Sequence, residues 1–230
     1  MTTTSLYLTL TPKKRISVVK KMNIASFDID AQYCFTPVCP NELPISGGDE
    51  IADELNEQAK YAGFRIGSKD AHPADALWVA TEHNPQHTPI SGPHVDVHWK
   101  AHAIPGSKGF QLLKGLPHPA DYDYFVWKGV EPDMHPYGAC YHDLTSKLST
   151  GVIEYLRVHQ VSTVIVGGLA TDYCVKTTVL QLLEAHFKVI VNLSACRGIH
   201  EDTVESAINA MQQQGAIIVK HTDEIEAELL

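Results

Sequence analysis

The chain has 230 residues, of which 27 are Asp or Glu and 18 are Lys or Arg, and its formal net charge is −9. Hydrophobic residues make up 44% and charged residues 20%, a balance that allows a buried core and excludes an intrinsically disordered chain. No apolar run approaches the roughly 18 residues needed to cross a bilayer, so we expect no membrane partner. The acidic balance argues against a nucleic-acid partner, because phosphates would be repelled.

The cysteines indicate the compartment in which the protein works. Their number is odd, they are scattered along the chain, and no secretory signal precedes them. A reducing setting fits this pattern better than a disulfide framework does, so we expect a cytoplasmic location.

The first 21 residues differ in composition from the rest. They are rich in Thr and Ser, contain a cluster of basic residues, and have no acidic residue. We interpret residues 1–21 as a flexible basic leader, with an organellar transit peptide or a misassigned start as alternatives. Residues 22–230 are then expected to form one domain, since α/β domains commonly reach this length.

In the first half of the domain, short β-prone runs precede helical patterns. Residues 24–30 and 64–68 are predicted strands, separated by a helix in which Ile51, Leu55 and Ala59 lie at helical spacing. Residues 124–127 are a third strand. Apolar positions between Asp143 and His159 predict the helix that follows.

The second half continues the alternation. Residues 163–168 read as a buried strand, and the spacing from Val175 to Phe187 predicts a helix over residues 173–185. Residues 188–192 and 216–219 are predicted strands. Between them, Asp202 and Glu205 are expected to form a capping box at the start of a helix. Strands that alternate with helices predict a three-layer α/β/α fold with a mostly parallel central sheet.

Functional sites in such sheets gather at the carboxyl ends of the strands. Asp30, Lys128 and Cys174 follow three of the predicted strands. A helix N-terminus and a neighbouring lysine would lower the pKa of the thiol and favour thiolate, and a carboxylate could shuttle protons. Taken singly, the cysteine could be an apolar filler, the lysine a solvated charge and the aspartate a cap. The three together predict nucleophilic catalysis.

The motifs around these residues resemble those of a known superfamily. They are Asp30-Ala31-Gln32 with Phe35, Lys69-Asp70-Ala71-His72-Pro73, Trp99-Lys100-Ala101-His102, Lys128-Gly129, and the block from Gly168 to Val175. In this order they resemble the isochorismatase-like cysteine hydrolases, and among them the nicotinamidases. The resemblance covers roughly residues 23–219, and it implies the isochorismatase-like hydrolase fold.

The resemblance also implies roles for individual residues. Asp30, Lys128 and Cys174 would be the catalytic triad. Asp70, His72 and His102 would bind one divalent metal ion, zinc in the first place, with iron or manganese as alternatives. Phe35, Trp99, Leu169 and Tyr173 would bind the substrate. The peptide bond between Leu169 and Ala170 is expected to be cis, so that the N–H groups of Ala170 and Cys174 form an oxyanion hole.

The implied reaction is hydrolysis of nicotinamide to nicotinate and ammonia through a cysteine thioester, as a step of NAD salvage. The metal would chiefly position the ring through its pyridine nitrogen. Another small-amide or carbamoyl amidohydrolase of the same superfamily, and a non-catalytic binding protein on this fold, remain as alternatives. Homo-oligomerisation is left open.

The remaining histidines and cysteines are expected to be outside the site. Four histidines of one long loop are interpreted as solvated, although one of them could add a metal ligand: His83, His87, His94 and His98. Four others are interpreted as surface or capping residues: His135, His142, His200 and His221. The cysteines other than Cys174 are expected to be buried or incidental thiols: Cys34, Cys39, Cys140 and Cys196.

Overall fold

The computed structural model describes residue 21 and residues 23–230. The expected leader, apart from residue 21, therefore lies outside the described residues. The strands are β1 (Ile24–Ile29), β2 (Phe64–Asp70), β3 (Tyr124–Lys128), β4 (Thr163–Leu169), β5 (Lys188–Arg197) and β6 (Ile217–Val219). The α-helices are α1 (Ala52–Ala59), α2 (Val152–Val158), α3 (Lys176–Glu184), α4 (Glu201–Gln213) and α5 (Ile225–Glu228).

All six strands form one sheet in the order β3-β2-β1-β4-β5-β6. Every neighbouring pair is parallel, which confirms the predicted sheet. The chain builds outward from β1 to β3 and then restarts at β4 on the other side. The strand order thus reverses between β1 and β4, and in open α/β sheets ligands bind in the crevice at the carboxyl ends beside such a reversal.

Helices cover both faces of the sheet, as the continuous burial of β1 and β4 requires. On one face Phe27 and Val164 belong to an apolar cluster with residues of α2, α3 and α4. On the other face Leu55 of α1 packs in a cluster with Leu169, and Ile225 of α5 packs beside Ile165. These layers make the three-layer α/β/α arrangement.

Two helix starts differ from the sequence-based expectation. The helix predicted from Asp143 begins only at Val152, because the Asp143 carboxylate accepts hydrogen bonds from the backbone N–H groups of Lys147 and Leu148 and holds this segment in a turn. The prediction of a capping box formed by Asp202 and Glu205 is also wrong. His200 is the N-cap residue of α4, and Asp202 lies inside the first helical turn.

The helix predicted over residues 173–185 begins as one wide turn. Thr171–Val175 form a π-helical turn, and the N–H of Val175 donates to the carbonyl oxygen of Ala170 at 3.1 Å. Helix α3 continues from it. Such turns are frequent at functional sites, and this one holds Cys174 at the carboxyl end of β4.

Within the part of the chain that the structure describes, none of the helices combines the length and hydrophobicity needed to cross a membrane.

Candidate active site

The carboxyl ends of β1, β3 and β4 bring Asp30, Lys128 and Cys174 together. Asp30 directly follows β1, Lys128 is the last residue of β3, and Cys174 lies in the turn after β4. Asp30 and Lys128 are fully buried, and Cys174 is 6% exposed. The sequence-based expectation that the three side chains converge agrees with this geometry.

Lys128 lies at the centre of this group. Its Nζ is 3.1 Å from Oδ2 of Asp30 and forms a second, short ion pair with Asp70. The same nitrogen is 3.7 Å from Sγ of Cys174 and 3.3 Å from the carbonyl oxygen of Pro136. One ammonium group therefore links the thiol to two carboxylates.

The backbone and a serine fix the position of Asp30. Ser68 Oγ donates a hydrogen bond of 2.7 Å to Oδ1 of Asp30. At Gly168, where φ is +140°, a Cβ atom would lie 2.0 Å from the carbonyl oxygen of Ile29. Only glycine permits this approach, so β4 can lie close to the residue that precedes Asp30.

The ionisation states follow from burial and charge. Burial raises the pKa of Asp30 to about 6, although Lys128 opposes the shift. Burial alone would lower the pKa of Lys128, but Asp30 and Asp70 outweigh it and raise that pKa well above the usual value. Burial also raises the pKa of the Cys174 thiol well above its usual value; Lys128 lowers it, while the two carboxylates add to the rise. Burial and the two carboxylates therefore oppose the thiolate form that the helix start and the lysine favour.

A cavity of about 340 Å³, counting its open mouth, leads to Cys174. Three of the residues expected to bind the substrate line it, namely Phe35, Trp99 and Tyr173, together with Ala170 of the expected oxyanion hole. The Leu169–Ala170 peptide bond is cis, also as expected. The lining does not include Leu169, whose fully buried side chain packs in the apolar core.

The cavity wall contains residues that the sequence motifs did not indicate. Tyr137 lines the cavity; its hydroxyl accepts a hydrogen bond of 3.1 Å from Nε1 of Trp99 and donates to the carboxylate of Asp96 at 2.9 Å. These bonds fix the Trp99 indole, whose ring stands at 90° to that of Tyr173 with centroids 5.1 Å apart. The aromatic wall is thus held in one orientation. Leu43, His135, Pro136 and Ile199 also line the cavity and were not indicated by the motifs.

A second buried cluster lies beside the triad at the end of β2. It contains Asp70, His72 and His102, the residues expected to bind a metal. Gln32 holds the backbone of Asp70 by both ends of its amide, donating to the carbonyl oxygen at 2.9 Å and accepting from the N–H at 2.7 Å. Gln32 belongs to the Asp30-Ala31-Gln32 motif, but the amino-acid sequence did not indicate a role for it.

The donor atoms of this cluster fit a divalent metal ion. Nδ1 of His72 donates to the carbonyl oxygen of Gly129 at 2.9 Å, and Nδ1 of His102 donates to that of Lys100 at 2.7 Å. Both Nε2 atoms therefore carry lone pairs, and Nε2 of His72 is buried without a hydrogen-bond partner among the described residues. The two Nε2 atoms lie 3.4 Å and 3.9 Å from the Asp70 carboxylate. Histidines that bind metals typically donate their other N–H in this way.

The protonation states suit the same role. Burial and the neighbouring His72 lower the pKa of His102 to about 3, so its imidazole is neutral at neutral pH. Burial would raise the pKa of Asp70, but Lys128 and His72 outweigh it and hold that pKa well below its usual value. A carboxylate with neutral imidazoles is a ligand set typical of zinc and other first-row transition metals.

The interpretation of His135 as a surface or capping residue is wrong. Its side chain is buried and lines the cavity, and one of its ring nitrogens lies within 4.8 Å of ring nitrogens of both His72 and His102. A signal was available: the residue lies in the loop that follows β3, close after Lys128. The four histidines of the long loop are not part of this group. The interpretation of His98 as solvated is also wrong, because its side chain is buried. Cys34, Cys140 and Cys196 are buried free thiols and Cys39 is partly exposed, as expected.

Comparison with known proteins accounts for this arrangement. Residues 29–223 match the isochorismatase domain. The chain belongs to the isochorismatase domain family. It is 33% identical over 197 residues to a nicotinamidase of Escherichia coli, a match that covers 82% of this chain and 89% of the relative.

Solved structures give the same result. The chain is similar to a nicotinamidase and pyrazinamidase of Acinetobacter baumanii, with a TM-score of 0.80 and 29% identity over 88% of this chain and 98% of that one. It is also similar to a pyrazinamidase of Pyrococcus horikoshii in complex with zinc, with a TM-score of 0.69 and 26% identity over 86% and 99% of the two chains. These findings confirm the isochorismatase-like fold.

Proposed function

We propose that this protein is a nicotinamidase, an amidohydrolase that converts nicotinamide to nicotinate and ammonia in NAD salvage. The observation that carries the proposal is the buried contact of Lys128 with Asp30 and Cys174 at the inner end of an aromatic cavity. Curated relatives from bacteria and yeast, all of them nicotinamidases, support the choice of substrate.

In the first half of the reaction, Sγ of Cys174 forms a bond to the carboxamide carbon. Burial raises the pKa of the Cys174 thiol, so Asp30 takes the thiol proton as the bond forms. A carboxyl with a pKa of about 6 is mostly ionised at neutral pH and can accept it. The protonated Asp30 then gives the proton to the departing nitrogen. The C–N bond breaks, ammonia leaves, and a thioester remains on Cys174.

In the second half, water attacks the thioester while Asp30 accepts one of its protons. The C–S bond breaks, the proton returns to sulfur, and nicotinate leaves. The N–H groups of Ala170 and Cys174 are proposed to hold the oxyanion in both halves. Lys128 stabilises Asp30 and the charge that develops on sulfur, since its Nζ lies within 3.7 Å of Sγ.

The metal proposed for this site is zinc, with iron or manganese as alternatives. Asp70, His72 and His102 would hold it. The similar pyrazinamidase of Pyrococcus horikoshii is in complex with zinc, which supports this choice. When bound, the ion would act as a Lewis acid toward the pyridine nitrogen of the substrate. Phe35 and Trp99 are proposed to enclose the ring, which leaves the carboxamide as the part that reaches Cys174.

Ammonia release from a panel of small amides tests the proposed function. Nicotinamide should be hydrolysed well, whereas benzamide, which has the same carboxamide but no ring nitrogen, should be a poor substrate. Ureido and carbamoyl compounds test the alternative amidohydrolases of the superfamily. If one of them has a larger kcat/KM than nicotinamide, the proposed substrate is wrong.

Chelation tests the part of the metal in this reaction. Because the metal is proposed to orient the ring, its removal should raise KM for nicotinamide more than it lowers kcat, and added zinc should restore KM. An enzyme that is unaffected by thorough chelation would contradict the proposed metal site.

Three further expectations belong to the proposal. Residues 22–230 are taken as one domain that acts on a small molecule, without a nucleic-acid or membrane partner. A cytoplasmic location is supported by the free thiols of the five cysteines. Homo-oligomerisation is compatible with this proposal.

A further inference from the structure

His135 has no part in the proposed reaction, yet it is one of the most enclosed polar side chains of the cavity. It is 4% exposed. Its Nδ1 is buried without a hydrogen-bond partner among the described residues. A buried polar group without a partner is costly, so a role for this imidazole has to come from something that binds beside it.

The ring is held on several sides. It packs against Trp78 with centroids 4.3 Å apart and edge-on against Tyr137 at 5.1 Å. The backbone N–H of His135 donates to the carbonyl oxygen of His94 at 2.8 Å. The next residue, Pro136, accepts a hydrogen bond from Lys128 through its carbonyl oxygen. The loop is thus tied to the triad, and the imidazole is fixed rather than free to turn to solvent.

Ring nitrogens of three histidines converge beside the cavity. One ring nitrogen of His135, one of His72 and one of His102 all lie within 4.8 Å of one another. His72 and His102 use Nδ1 to donate to backbone carbonyl oxygens, so both present lone pairs. Nδ1 of His135 has no hydrogen-bond partner among the described residues and is available to a ligand. Converging lone pairs repel one another unless a cation binds between them.

We propose that His135 is a fourth protein ligand of the divalent metal, in addition to Asp70, His72 and His102. This inference rests on the metal site of the proposed function and adds a ligand to it. A set of three imidazoles and one carboxylate favours zinc and similar transition metals over magnesium or calcium, which prefer oxygen ligands.

The charge distribution around Asp70 explains why a further ligand is useful here. The Asp70 carboxylate forms the short ion pair with Lys128, so a metal ion would share this carboxylate with the ammonium group. A carboxylate that is shared with an ammonium group is a weaker metal ligand. A third imidazole adds a neutral donor without disturbing the balance between Lys128 and the two aspartates.

A metal titration of variants tests the proposal. His135→Phe keeps an aromatic ring of similar shape and removes both nitrogens. His98→Phe is the matched control, because His98 is also buried and also has an Nδ1 without a partner, but it is not part of the histidine group. Zinc affinity is measured by competition with a chromophoric chelator. Since loss of residues that merely support metal ligands weakens binding by roughly 10- to 100-fold, we expect a loss of about 100-fold for His135→Phe and none for His98→Phe.

Equal zinc affinity of His135→Phe and the wild type would overturn the proposal. If KM for nicotinamide were then raised, His135 would contact the substrate instead. Should His135→Phe fail to fold, X-ray absorption of the zinc-loaded wild type decides: three coordinated imidazoles support the proposal, and two contradict it.

These readouts are independent of the reaction. A wild type that binds zinc through three imidazoles but does not hydrolyse nicotinamide would refute the proposed function and leave this inference intact. A wild type that hydrolyses nicotinamide with two imidazoles on its zinc would do the reverse.

Discussion

The two halves of the site share Asp70 but differ in how their polar groups are satisfied. In the triad half, Lys128 faces the carboxylates of Asp30 and Asp70, and every charge has an opposite charge beside it. In the histidine half, the Nε2 atoms of His72 and His102 face the Asp70 carboxylate, and Nε2 of His72 has no hydrogen-bond partner among the described residues. In the triad half, Lys128 supplies the positive charge that both carboxylates face, whereas in the histidine half the proposed metal ion would supply it.

The two aspartates show what this difference does. Both contact Lys128, yet burial raises the pKa of Asp30 to about 6, while Lys128 and the histidines hold that of Asp70 well below its usual value. When neighbouring carboxyls have pKa values that differ in this way, the one with the higher value is suited to proton transfer. This difference supports the proposed role of Asp30 as the proton carrier, with Asp70 remaining an anion.

The largest expected effect comes from removing the nucleophile. Cys174→Ala should lower kcat by at least about four orders of magnitude, as loss of a catalytic nucleophile does elsewhere, with the fold retained. Ammonia release measures kcat, and thermal unfolding measures whether the fold is retained. Cys140→Ala is the matched control, since Cys140 is also a fully buried thiol; it should lose about 1 kcal/mol of unfolding free energy and keep its activity. Appreciable turnover by Cys174→Ala would refute the assignment.

The proton carrier should give the next largest effect. Asp30→Asn should lower kcat by roughly 10²- to 10⁴-fold, because the amide cannot accept the thiol proton. Asp28→Asn is the control from the same strand. Asp28 is bound by Arg65 and Tyr122 rather than by the triad, so its loss should cost roughly 3 kcal/mol of stability and leave kcat nearly unchanged. Similar kcat values for the two variants would contradict the division of roles.

The sequence was sufficient to predict the fold and the convergence of three side chains. The strands are short β-prone runs that alternate with helical patterns, and the rule that sites gather at strand ends selected Asp30, Lys128 and Cys174. The same rule could have selected His135, but its loop has no pattern that indicates burial. Gln32 and Tyr137 were missed because their hydrogen bonds join segments far apart in the sequence.

The state of the thiol could not be predicted either. The local sequence shows a helix start and a motif lysine, and both lower a thiol pKa. Complete burial and the proximity of two carboxylates raise it, and these appear only when three strands are assembled. In the same way, the apolar positions between Asp143 and Val152 suggested a helix. The backbone N–H groups that donate to the Asp143 carboxylate instead hold this segment in a turn.

The pH dependence should follow Asp30. Its pKa is raised to about 6, and it acts in the ionised form, so kcat/KM should fall by about tenfold per pH unit as the pH drops below that value. The pKa of His102 is lowered to about 3, so this imidazole does not titrate in the same range. Initial rates across this range measure the profile, and the residual activity of Asp30→Asn should lack the acidic limb. A wild-type profile that is flat through pH 6 would contradict Asp30 as the base.

The smallest effect should come from a glycine that supports the histidine half. At Gly129, with φ at +68°, a Cβ atom would lie 2.3 Å from Cε1 of His72, whose Nδ1 donates to the Gly129 carbonyl oxygen. Gly129→Ala should therefore displace His72, weaken zinc binding by roughly tenfold and raise KM more than it lowers kcat. Gly106→Ala separates the backbone cost from the contact, because Gly106 has φ at +90° and nothing within 4 Å of the added atom. Gly106→Ala should lose about 1 kcal/mol of stability through its backbone alone, and Gly129→Ala should lose more because of the added contact. Only Gly129→Ala should weaken zinc binding; equal zinc affinities would mean that this glycine does not position His72.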